Sequence, residues 1–86
     1  MLNDYIKAAL RRAKYELLED DDTVYAEVSE LPGVWANAPT WEECREQLAE
    51  VVEGWVLLGI KRGAEIPVLD GVDLNLIGVS AEAEAY

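Results

Sequence analysis

Eighty-six residues suffice for one domain, and a domain of that size buries only about 60–65% of the surface its unfolded chain exposes. Seven basic residues stand against eighteen acidic ones, for a formal charge of −11. Phosphate contacts need Lys and Arg, so nucleic-acid binding over most of the surface is disfavoured, whereas basic partners are steered toward such a protein. The chain has one cysteine, Cys44, and no histidine. An internal disulfide and a Cys/His metal cluster are both excluded, which leaves self-association as the expected reinforcement of a small core.

The first segment, residues 1–14, reads as an amphipathic helix that Asn3 or Asp4 can cap. Ile6, Leu10 and Ala13 fall on one side, and Lys7, Arg11 and Lys14 on another. It lacks the apolar centre of a signal peptide. The longest apolar run, residues 55–60, is far below the ~20 residues a membrane span requires. A cytoplasmic protein without membrane attachment is expected.

From Tyr15 the period changes. Tyr15 to Glu19 leads into Asp20-Asp21-Asp22, whose side chains favour a turn. Val24, Ala26 and Val28 then alternate with Tyr25, Glu27 and Ser29, as in a half-buried strand. A β-hairpin follows from these two features. Leu31-Pro32-Gly33 predicts a tight reversal, and residues 34–37 a short third strand.

Thr40-Trp41-Glu42-Glu43 has the form of a capping box, in which the Thr40 hydroxyl accepts from the Glu43 N–H and the Glu43 side chain returns the bond. Glu42, Glu43 and Glu46 suit the positive end of the helix dipole. Trp41, Cys44, Leu48, Val51, Val52, Trp55 and Leu58 predict an apolar stripe on a long helix. Gly63 should end that helix near Arg62. Gly54 and Gly59 inside it each cost about 1 kcal/mol relative to Ala, and read as close-packing positions. Alternation over Val72, Leu74 and Leu76 predicts a last strand reaching about Val79, and residues 80–86 a frayed tail.

No catalytic constellation is apparent. A Ser-His or Cys-His pair is impossible without histidine, and Cys44 on the apolar stripe reads as an inert core thiol. The six glycines are scattered, without phosphate-loop spacing. Asp20 to Asp22 lack the alternating ligands and the distal Glu of a calcium loop. No cofactor and no metal site is expected. Trp41 and Trp55 read as core. Trp35 is open between two readings: exposed beside Tyr25 on the far sheet face as an interface anchor, or buried there by the first helix.

Tyr25 at a strand start, Glu30-Leu31-Pro32-Gly33 after it, Thr40-x-Glu42-Glu43 at a helix entry, Leu48 and Trp55 along the helix and Ile66-Pro67 beyond it occur in an order that resembles the HicB-like antitoxins. The resemblance covers residues 15–68. It implies an α+β fold of partial ribonuclease-H-like form: a three-stranded antiparallel meander plus a further strand, with one long packed helix. The present chain adds an N-terminal helix. The resemblance further implies a non-catalytic, protein-binding role, in which a small basic HicA-type ribonuclease toxin is bound and its active site covered. Many members also carry a C-terminal DNA-binding domain; seven residues follow Val79 here, too few to form one. Asn37-Ala38-Pro39 also replaces the glycine that often precedes the capping Thr.

The expectation is therefore a single HicB-like domain, residues 1–86, forming a homodimer or higher homo-oligomer. It should engage its partner through Tyr25, Glu27, Glu30 and Trp35, without direct nucleic-acid binding. Two alternatives remain: an orphan self-associating regulatory domain, and a carboxylate- or metal-dependent hydrolase.

Overall fold

The computed structural model describes residues 2–74. Helix α1 (Leu2–Arg12) leads into strands β1 (Lys14–Leu18), β2 (Thr23–Glu27) and β3 (Trp35–Ala38), and helix α2 (Trp41–Lys61) follows. The strands form one antiparallel sheet in the order β1-β2-β3, so the expected meander and both helices are present. Of the further strand expected to reach Val79, Val72 forms only an isolated bridge with Leu69. Residues 75–79, like the expected tail at 80–86, lie outside the described residues.

Local chemistry accounts for the punctuation. Residues 19–22 connect β1 to β2, with Asp22 at φ 57° and the Thr23 hydroxyl donating to Asp21 Oδ1 at 2.7 Å. The triple-aspartate segment is thus a turn. Farther on, the Val34 N–H donates to the Leu31 carbonyl at 3.1 Å across Pro32 and Gly33, and Gly33 has φ 82°. Proline second and a positive-φ glycine third is the pattern of a type II turn. Thr40 caps α2 by accepting from the Glu43 N–H at 3.1 Å. The return half of the box differs from expectation: the Thr40 hydroxyl lies 3.3 Å from Glu43 Oε1 and donates to it. At the other end Gly63, at φ 72°, donates to Ile60 O, and Ala64 donates to Gly59 O. These two bonds form a Schellman motif.

Helix α2 lies on one face of the sheet and buries Cys44, Leu48, Val52 and Val56 against Val24, Ala26, Ala36 and Ala38. This corrects the expected stripe. A four-residue step advances the helix about 40° beyond one turn, so the buried line slants across the sheet. It recruits Val56 and leaves Val51 and Leu58 outside. Trp41, which the helical period assigns to the core, is 53% exposed. As the first residue of α2 it lies at the rim, its ring 6.3 Å from that of Tyr15. Trp55 is half-buried, and its indole N–H donates to the Pro32 carbonyl at 3.2 Å.

Helix α1 contains Asn3 and Asp4 rather than starting at them, and packs against α2. Its most buried residues are Tyr5, Ala8 and Ala9, with Leu10 beside them, whereas Ile6 and Ala13 are only half-buried. The Tyr5 hydroxyl donates to the Pro67 carbonyl at 2.6 Å. Burial first, and Glu30 second, push the Tyr5 pKa up to about 12. Arg12 reaches both Glu30 and Asp70, binding the latter at 2.8 Å, and Arg11 also reaches Asp70 at 3.3 Å. One arginine pair therefore ties the start of the chain to the turn after β2 and to the segment after α2.

Candidate protein-binding face of the sheet

With α2 on one side, strand alternation sends the remaining side chains to the opposite, outer face. The register sets Glu16 opposite Tyr25 and Tyr25 opposite Asn37; the next row is Lys14, Glu27 and Trp35. Directly paired residues share a face, so three strands present these six side chains together. Among the described residues no element packs over them, and Trp35 is 54% exposed. Of the two readings open for Trp35, the exposed one holds. Helix α1 packs on α2 instead of on the sheet's outer face.

The face is ordered by its own contacts. Tyr25 and Trp35, diagonal neighbours across β2 and β3, stack with ring centroids 6.1 Å apart and planes inclined by 25°. The Tyr25 hydroxyl donates to Glu27 Oε2 at 3.3 Å. The Tyr25 pKa is raised, first by partial loss of hydration and then by the Glu27 carboxylate, so the phenol remains a neutral donor at physiological pH. Asn37 Nδ2 donates to Thr23 Oγ1 at 2.8 Å and to the Val24 carbonyl at 3.1 Å. The result is a flat aromatic pair flanked by Glu16 and Glu27, with Lys14 at one corner. A face of this chemistry suits a partner with apolar and cationic groups.

Of the four residues expected to bind a partner, Tyr25, Glu27 and Trp35 are brought together. Glu30 is set apart. It lies in the turn beyond β2 and accepts from Arg12 Nε, and that hydrogen bond holds its carboxyl below the usual range. Lys14, Glu16 and Asn37 complete the face, and alternation within β2 does not reveal them. Their signal is the register, which depends on the β1–β2 turn for Lys14 and Glu16 and on the β2–β3 connection for Asn37.

Elsewhere Cys44 is fully buried. Its Sγ is 3.8 Å from the Ala36 carbonyl, and burial raises the thiol pKa. Both features oppose thiolate formation. Among the described residues no three His, Cys, Asp or Glu side chains are grouped so as to hold a metal ion. No helix among them is long and apolar enough to cross a membrane.

The family described as UPF0150-like matches residues 4–67 of the chain. A solved structure, the crystal structure of TTHA0281 from Thermus thermophilus, is 39% identical in sequence. It superposes with a TM-score of 0.76 over 84% of this chain and 89% of that one. No curated protein matches.

Proposed function

The chain belongs to the UPF0150-like family, and from that premise we propose that it is a non-catalytic protein-binding domain of HicB-like antitoxin type. Its partner would be a small basic ribonuclease of HicA type, held so that the toxin's active site is covered. The observation that carries this reading is the uncovered outer face, where the Tyr25–Trp35 stack lies beside Glu16 and Glu27. Stacked aromatics supply rigid contact area at little entropic cost. The surrounding carboxylates and the charge of −11 speed encounter with a cationic partner and set its register. Inhibition would be steric, requiring no proton transfer or bond-making by this chain. Glu30, already engaged with Arg12, supports the shape of the neighbouring turn in this proposal and is not a primary contact.

Affinity purification of the tagged chain from its native cells, at low and moderate salt, tests the proposal. A short basic protein that cleaves RNA alone and stops cleaving when this chain is added is the expected result. Glu27→Lys and Trp35→Ser should each weaken that inhibition by about tenfold or more. Recovery of no basic ribonuclease, or inhibition indifferent to both substitutions, would overturn it.

A further inference from the structure

The two glycines inside α2 have different surroundings. A Cβ at Gly59 would meet Ile66 Cδ1 at 2.7 Å, so that glycine is explained by packing within the chain. A Cβ at Gly54 would meet nothing within 4 Å among the described residues. Gly54 nevertheless sits mid-helix, where glycine is the least favourable residue after proline, and no neighbour among the described residues accounts for it. Around it the helix turns a second apolar surface outward: Val51, Leu57 and Leu58 are all exposed, the two leucines at 50% and 46%. Such leucines on an outward helix face call for a covering surface.

We infer that the outward face of α2, centred on Gly54, is the contact between two copies of this chain, with the helices crossing antiparallel at that glycine. The absence of a side chain at the crossing lets two helix backbones approach closely. Charge selects both the occupant and the direction. A two-fold crossing at Gly54 brings Val51, Leu57 and Leu58 of the two copies together, with the aliphatic stem of Glu50 laid along Leu58. Farther out it sets Glu46 and Gln47 against Arg62 and Lys61, all exposed. A parallel crossing would instead confront Glu46 and Glu50 with themselves and Lys61 with itself. The antiparallel orientation joins the acidic half of each helix, at Glu46 and Glu50, to the basic end of its partner, at Lys61 and Arg62, and the parallel one does not; the same patch then serves both copies, as a two-fold interface requires. It is distinct from the outer face of the sheet, so the dimer and the toxin complex are independent and compatible.

Light scattering and sedimentation equilibrium on the full chain test this directly. The expected species has twice the 9.6 kDa chain mass. Leu58→Glu should raise its dissociation constant by about tenfold or more. Gly54→Gln is the sharper variant: in a lone chain the new side chain enters open space and favours helix, so circular dichroism should show an intact fold while the dimer dissociates. Gly54→Cys should yield a disulfide-linked dimer on mild oxidation, Cys44 being buried. Trp35→Ser should leave the dimer mass unchanged, which separates this surface from the one proposed for the toxin. A wild-type chain that stays monomeric up to millimolar concentration would overturn the inference, as would a dimer unaffected by Leu58→Glu and Gly54→Gln.

Discussion

The two faces of the three-stranded sheet arise from one alternating pattern, yet differ in almost every physical respect. The inner face is paved with Val24, Ala26, Ala36 and Ala38, all buried. Small side chains there let α2 lie close and press Leu48 and Val52 onto the strands. The outer face carries Tyr25, Trp35, Glu16, Glu27 and Asn37, with larger side chains and, among the described residues, no helix upon them. Stability and the proposed recognition thus fall on opposite sides of a layer one residue thick. The outer face can vary in sequence without disturbing the core.

Removing a core side chain should produce the largest effect. Leu48→Ala is expected to cost about 2–5 kcal/mol in urea denaturation, because Leu48 is completely buried at the helix–sheet interface. A loss below that range would mean that α2 is less closely packed than described.

Next in size is Tyr5→Phe, which leaves the Pro67 carbonyl without its 2.6 Å donor and should cost about 1–2 kcal/mol. It carries a pH signature as well. With its pKa raised in the folded protein to about 12, the stability Tyr5 contributes is fully present below the unfolded value near 10. That contribution is lost as pH rises toward about 12. Wild type should therefore lose stability over that interval relative to the Phe variant; parallel curves would remove Tyr5 as the docking point of α1.

On the outer face, Trp35→Ala should cost no more than about 1 kcal/mol, the worth of one aromatic cross-strand pair. A loss matching that of Leu48→Ala would end the proposed division between the two faces.

The smallest effect is expected from Arg12→Gln, since its ion pairs are exposed and surface pairs contribute little. Glu30 and Asp70 both have lowered pKa values, caused first by their hydrogen bonds to Arg12. Their contribution is present above the unfolded carboxylate range and is lost as pH falls through the folded values. The stability difference between wild type and Arg12→Gln should therefore shrink on acidification. A difference independent of pH would assign Arg12 a packing role through its aliphatic stem.

Features governed by a few consecutive residues are legible in the chain itself. Alternation from Val24 to Val28 announces β2, Pro32-Gly33 its reversal, and Thr40 with Glu43 the entry to α2. Less legible is which apolar residue finds a neighbour. Trp41 and Leu58 satisfy the helical period yet stand exposed, while Tyr5, outside the apolar side assigned to α1, is fully buried. In the candidate face, Tyr25, Glu27 and Trp35 can be named from strand alternation. The separation of Glu30 cannot, because it depends on an arginine eighteen positions earlier.

The sequence by itself determined the kind and order of the elements, since backbone hydrogen bonding, turn geometry and capping act over four or five residues. It also determined the acidic character that any partner meets. Only the tertiary structure decided which side of each element is covered. That outcome depends on the slant of α2 over the sheet and on α1 docking against α2. Both are set by packing among residues far apart in the chain, and together they leave the Tyr25–Trp35 pair open and turn Gly54 outward.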